Sequence, residues 1–310
     1  MPSLEGATTW PRYMVFGEAL TDLVRTGEDT WRSVAGGSCW NVARVASTLG
    51  LPTAWCGAVS DDLFGRDIVE RSRAAGLDGR FIQVAARPPL LAVVYETQPP
   101  QYFFVGESDQ AFDEDRLPEG WLGHCEAAHF GCISLVRKPL GRRLVRLARE
   151  LKARGTLISF DPNYRNLMGP GYRALFERMA ALANIVKLSD EDLVQIYPRL
   201  ARDTALQHVR ALTRDAWLLY TRGSGGLTLY RGDSQTAQPG FQVALRDSVG
   251  AGDACLGGFV TSLLSNPKAS AATHARFAAA TAAAVCMEVG AHAPSLEEVE
   301  RLLRGEADSS

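Results

Sequence analysis

The stretch whose reading decides the fold is Asp247-Ser248-Val249-Gly250-Ala251-Gly252-Asp253, which runs straight into an apolar segment from Ala254 to Leu264. Two glycines around one small residue let the backbone turn tightly and leave its N–H groups uncovered. In the segment that follows, Leu256, Phe259, Val260, Leu263 and Leu264 recur at helical spacing, which predicts a buried helix. A glycine-rich turn feeding a helix N-terminus attracts anions, because unpaired amides and the helix dipole both favour negative charge. Asp253 stands beside that trap, where a carboxylate is unfavourable unless it has work such as taking a proton from a hydroxyl. Together these features point to phosphoryl transfer to an alcohol. Taken alone, the stretch fits an N-capped tight turn equally well.

Working outward, the region from about residue 125 alternates short apolar runs with amphipathic ones. Strands are expected at Ala127 to Leu135, Leu157 to Phe160, Ile185 to Leu188 and Ala216 to Tyr220, and helices at Leu140 to Gly155, Tyr172 to Ala183 and Thr204 to Thr213. This alternation predicts an α/β fold with a mostly parallel sheet flanked by helices. Ligands of such sheets bind beyond the carboxyl ends of the strands. The notable polar segments fall there: Asp161-Pro162-Asn163-Tyr164-Arg165, Ser189-Asp190-Glu191-Asp192 and Thr221-Arg222-Gly223-Ser224-Gly225-Gly226. Nearer the N-terminus, Tyr13 to Phe16 reads as a strand and Asn41 to Leu49 as a helix closed by Gly50. Ala19 to Arg25 and Leu90 to Glu96 with Tyr102 to Val105, across Thr97 to Gln101, read as a small antiparallel flap.

Composition narrows the function classes. A net charge of −2 and the lack of a basic stripe argue against nucleic acid as a partner. No apolar run approaches the ~20 residues needed to cross a bilayer. The start, MPSLEGATTWPRY, lacks a secretory signal's basic flank and apolar segment, so a cytoplasmic location is expected. Six cysteines without paired spacing read as reduced, mostly buried thiols, and neither they nor the five histidines form a metal motif. Gly36-Gly37 precedes a helix carrying Asn41, which offers a donor and an acceptor to a polyol. Asp22 can do the same from its β segment, or stand as an edge charge. The acids of 189–192 either hold Mg²⁺ through water or simply start a helix.

In this order the motifs resemble the ribokinase-like (PfkB-type) carbohydrate kinases, over nearly the whole length from Gly17-Glu18 to Gly290-Ala291. The markers are Gly36-Gly37 with Asn41, the Ser60 to Gly65 turn, DPNYR at 161–165, VKLSDEDL at 186–193 and DSVGAGD at 247–253. His129 to Leu135, DPNYR and VKLS look most like the fructokinase branch. The resemblance implies one ribokinase-like domain over residues 1–310, with a β lid from about 19–35 and 88–107. It also implies transfer of the γ-phosphate of ATP to a sugar hydroxymethyl group. Asp253 would be the base, with Gly250, Ala251 and Gly252 as the anion hole. On the sugar side it places Asp22, Gly36, Gly37, Asn41 and Arg165; on the nucleotide side, Lys187, Thr221, Gly223, Gly225 and Gly226. Asp192 would organise Mg²⁺, and Asp247 matches a position associated with a monovalent cation such as K⁺. The lids of two chains could pair into a homodimer.

The sequence departs from the family pattern in places. Ser189 and Asp192 replace a common Asn and Glu, and Ala stands in Phe277 to Ala280 where an Asn often flanks adenine. Ser38, Cys39 and Trp40 precede Asn41 where smaller residues are usual. Gly106 stands where relatives carry an arginine that would suit an acidic sugar such as 2-keto-3-deoxygluconate. That sugar acid kinase, another sugar kinase of the family, and a non-catalytic sugar-binding relative are the alternative expectations to a fructokinase. No strand-linked GxGxxG supports a dehydrogenase.

Overall fold

The computed structural model describes residues 9–306 apart from 98, 99 and 170. The tip of the expected flap turn and both chain ends therefore lie outside the described residues. The strands are β1 (Tyr13–Phe16), β2 (Leu20–Arg25), β3 (Trp31–Gly36), β4 (Thr53–Ser60), β5 (Ile82–Ala85), β6 (Leu91–Thr97), β7 (Pro100–Val105), β8 (Ala127–Gly131), β9 (Leu157–Asp161), β10 (Ile185–Ser189), β11 (Trp217–Thr221), β12 (Leu227–Arg231) and β13 (Ser234–Gln238). The helices are α1 (Ser38–Thr48), α2 (Leu63–Ala74), α3 (Leu140–Ala153), α4 (Tyr172–Leu182), α5 (Asp190–Ile196), α6 (Arg202–Leu212), α7 (Ala251–Ser265), α8 (Ala271–Cys286) and α9 (Leu296–Arg304).

The main sheet runs β13-β12-β11-β10-β9-β8-β1-β4-β5. It is parallel from β11 to β5, and β12 and β13 turn back antiparallel at one edge. Helices cover both faces, so the strands are apolar on both sides. Tyr13 and Val15 join one core with Val42 of α1 and Leu256 and Phe259 of α7. Met14 and Phe16 join the other with Leu144 of α3, Phe176 of α4 and Val209 of α6. Full burial of each such side chain is worth about 1.5–3 kcal/mol. α7 is apolar around most of its circumference because α1 and α8 enclose it. Gly257 and Gly258 permit the close approach: added Cβ atoms would sit 3.1 Å from the Val42 carbonyl oxygen and 2.8 Å from Thr281 Cβ.

The parallel sheet flanked by helices is the one expected, with two corrections. The run from Ala127 to Leu135 is not one strand: β8 ends at Gly131, Cys132 takes a φ of +50°, and Ile133–Leu135 form a 3₁₀ turn. All of these residues are buried, so hydrophobicity alone could not separate strand from turn. The second correction concerns the flap. It is a four-stranded sheet in the order β3-β2-β6-β7 and is not purely antiparallel, because β2 and β6 pair in parallel. The long excursion through α1, β4, α2 and β5 between them allows that direction. All six cysteines are free and all but Cys286 are buried, as expected. Among the described residues no helix is long and apolar enough to cross a membrane.

Candidate active site

α7 begins at Gly250, whose φ of +83° is left-handed, and a Cβ there would lie 3.0 Å from that of Ala291. The first bond within the helix runs from the Ala254 N–H to the Gly250 carbonyl, 2.8 Å. The amides of Gly252 and Asp253 precede it and remain donors for a ligand. Lys187 of β10 closes the other side, its Nζ 3.1 Å from where a Cβ on Gly252 would stand. Burial alone would strip the proton from Lys187, but Asp161, Asp192 and Asp253 outweigh it and keep the ammonium charged. Nζ lies 3.1 Å from Asp161 Oδ2 and 3.8 Å from Asp192 Oδ2.

Asp253 is only 6% exposed, yet it forms part of the wall of an open cleft of about 750 Å³ at the carboxyl ends of β9, β10 and β11. Its Oδ1 accepts from Ser38 Oγ at 2.7 Å and from the Asn163 side-chain amide at 3.3 Å, and its Oδ2 accepts from the Asn41 amide at 2.9 Å. Burial raises its pKa, while Asn41, Ser38, Lys187 and Arg165 pull it back. The result is a carboxylate in a dry environment whose charged form is still supported by donors. Ser38 and Asn41 reach it together because they lie three residues apart on the first turns of α1. That helix starts at Gly37, where φ is +112° and a Cβ would meet the Glu18 carbonyl oxygen at 2.8 Å.

The cleft gathers Arg165, Lys187, Asp192, Thr221, Gly223, Gly250, Ala251, Gly252 and Asp253 of the expected set. Asn41 joins through its bond to Asp253. Asp22 stands on β2 beside Gly36, where a Cβ would lie 2.8 Å from Asp22 Oδ2. Burial pushes the Asp22 carboxyl up to about 6 against the pull of Arg165. Cross-strand register puts Asp22, Ala92 and Phe104 on one face of the small sheet, with Tyr102.

Seven expected residues lie off the cleft wall: Asp22, Gly36, Gly37 and Asn41, and also Gly225, Gly226 and Asp247. A Cβ on Gly226 would come 2.2 Å from the Gln238 carbonyl oxygen, so this glycine lets two backbone segments pass, and Gly225 packs on Arg222. Asp247 accepts from the backbone amides of Val249 and Gly290 and latches two loops together.

Ser38, Asn163 and Asp161 carry no role in the expectation from sequence. DPNYR was the available signal for two of them: Asn163 adopts a φ of +38°, a rare conformation for a non-glycine residue, with its amide aimed at Asp253. Among the described residues no group of three or more His, Cys, Asp or Glu is placed to hold a metal ion. Asp192 spends Oδ1 on the Tyr164 amide (2.7 Å) and Oδ2 on the Ser189 hydroxyl (2.6 Å) and amide (3.1 Å), closing a capping box at α5.

Against this geometry stand the likenesses to known proteins. Residues 11–298 match the pfkB family of carbohydrate kinases. The chain belongs to that family. The kinase is 34% identical over 259 residues to a fructokinase of Rhizobium leguminosarum bv. trifolii, covering 80% of this chain and 78% of that protein. It is 29% identical over 269 residues to fructokinase-1 of Zea mays, covering 81% and 83%. In fold, the kinase is similar to a fructokinase with bound ATP from Xylella fastidiosa, with a TM-score of 0.85 at 24% identity over 96% of this chain and 99% of that one. An aminoimidazole riboside kinase from Salmonella enterica is nearly as similar, with a TM-score of 0.83 at 24% identity over 94% and 99%. Shape therefore fixes the fold, and the substrate must be argued from the site.

Proposed function

We propose that this kinase is a fructokinase, moving the γ-phosphate of ATP to a hydroxymethyl group of fructose. The observation that carries the reading is the placement of one buried, donor-supported aspartate at the amide-rich start of α7, opposite a charged Lys187, in a single cleft. The fructokinase relatives supply the sugar and the nucleotide. Asp253 accepts the hydroxyl proton as the oxygen attacks. The amides of Gly252 and Asp253, with Lys187, face the charge that gathers on the transferring phosphoryl group, where fixed dipoles act most strongly. Asp22, Asn41 and Arg165 hold the sugar. The small sheet is its lid and limits water at the phosphoryl group.

Mg²⁺ fits the donor set as a hydrated ion on the nucleotide phosphates, since Asp190, Glu191 and Asp192 offer only hard oxygen ligands to the cleft. It would neutralise phosphate charge. With both oxygens of Asp192 engaged by N–H and O–H donors, that residue would bind the ion's water. A monovalent cation would have to share the Asp247 carboxylate with two backbone amides.

An acidic sugar lacks support: Gly106 has a φ of +91° and no side chain to contribute. The lid's outer face exposes Trp31, Phe103 and Val105, an apolar patch suited to pairing with a second lid, which sedimentation would detect. Free buried thiols suit a reducing cytoplasm. The deciding experiment is ADP release with fructose, ribose, 2-keto-3-deoxygluconate and aminoimidazole riboside, compared by kcat/KM. Fructose should lead by roughly tenfold or more. A lead by any other sugar overturns the assignment.

A further inference from the structure

A second cavity, about 510 Å³, opens away from the catalytic cleft between α3, α4 and the segment that follows Arg165. Its rim carries Lys138, Arg142, Arg146, Arg149 and Arg178, and no aspartate or glutamate lines it. In a chain with a net charge of −2 this concentration is not a matter of composition. Arg142, Arg146 and Arg149 follow at intervals of four and three on α3, one stripe on which like charges repel. Glu114 and Glu150 neutralise Arg146, at 2.7 and 3.5 Å. Lys138, Arg142, Arg149 and Arg178 pair with no carboxylate among the described residues. Four uncompensated cations thus point at one concavity whose remaining wall, including Val145, Leu167 and Leu175, is apolar.

We propose that this cavity is a regulatory site for a small organic phosphate, a sugar phosphate or a nucleotide. Guanidinium groups match phosphate oxygens in pairs, and the apolar wall suits a carbon skeleton or base that inorganic phosphate lacks. The volume falls within the ~300–1,000 Å³ usual for small-molecule sites. The position also couples it to catalysis through one stretch of chain. Tyr172, on the cavity wall, donates its hydroxyl to the Pro162 carbonyl at 3.4 Å and meets the Tyr164 ring edge-on at 5.7 Å. The same loop sends the Tyr164 amide to Asp192 and the Asn163 side chain to Asp253. A ligand drawing α3 and α4 together presses on Leu167 and Tyr172, and so on the loop that carries Arg165. Occupancy then changes the KM for the sugar to the extent that it favours one position of that loop.

Calorimetry on the full chain tests this without any turnover, the cavity's share of each titration being the part that the variant below loses. Its outcome is therefore independent of which sugar the enzyme uses. The probes are glucose 6-phosphate, ADP and inorganic phosphate, each against the wild type and an Arg142→Ala/Arg178→Ala variant whose melting temperature and basal kcat are unchanged. The expected result is saturable binding of at least one organic phosphate, more tightly than inorganic phosphate, weakened roughly tenfold or more in the variant. The sugar phosphate and ADP arms tell the two sources apart. The proposal is overturned if neither organic phosphate outbinds inorganic phosphate, or if the substitutions leave every titration, glucose 6-phosphate and ADP alike, unchanged.

Discussion

The two sides of Asp253 are built differently. On the phosphoryl side the parts are locked: Gly250 in its left-handed conformation, the amides of α7, and Lys187 held by two carboxylates within 3.8 Å. On the sugar side one polar group awaits a partner: Asp22 accepts no hydrogen bond among the described residues, and its pKa is pushed up to about 6. Ser38 there bonds to the base itself, at the carboxylate where a sugar hydroxyl must also donate. The contrast teaches a division of labour. On the proposed mechanism, charge stabilisation is fixed in advance, whereas substrate recognition is completed by the ligand.

The largest effect is expected where the two sides meet. Asp253→Asn keeps the shape but removes the proposed base, so kcat should fall by about 10²–10⁴ while fructose binding by calorimetry stays within a few fold. Turnover near the wild-type level would remove Asp253 from its role. Breaking the phosphoryl side alone takes one methyl group. Gly252→Ala would place a Cβ 3.1 Å from Lys187 Nζ, between the two groups proposed to face the transferring phosphoryl group. A loss of roughly 10²-fold in kcat, worth about 3 kcal/mol, with sugar affinity unchanged, is the expected outcome of steady-state kinetics. A change in sugar affinity of the same size would show that the two sides are not separable.

The same division explains what could be read before any coordinates. The anion loop and α7 were legible because glycine spacing and an apolar helix are local signals. So were β9, β10 and β11, short apolar runs ending in polar segments. β4 is not among the expected strands: its residues, all buried, show no alternation, and Thr53, Gly57 and Ser60 break up its apolar run. β8 was drawn too long because the buried turn after Gly131 is as apolar as the strand. The donors to Asp253 fared worst: Ser38 stands 215 residues from it and Asn163 stands 90. Polar residues that far apart carry no mutual signal until the sheet brings their strand ends together. Lys187 was expected at the nucleotide, but its buried pairing with Asp161 becomes visible only once β9 and β10 lie side by side.

The smallest effect belongs to the sugar side and separates tuning from packing. Ser38 Oγ donates to Asp253 Oδ1 at 2.7 Å, which favours the ionised base against a burial that raises its pKa. The proposed mechanism requires that ionised form, so kcat/KM should be held above the Asp253 pKa and lost as pH falls through it. Ser38→Ala removes one donor, and the pKa rises further. The acid limb of the kcat/KM profile should then move to higher pH by about one unit, the size of a hydrogen bond to a charged group. At a pH well above that limb kcat should be nearly unchanged, because Asn41 and Asn163 still hold the carboxylate. A serine that only fills space predicts the reverse, a lower melting temperature with the limb unmoved. The direction of the limb therefore decides whether the unusual residue at the start of α1 belongs to the chemistry or to the core.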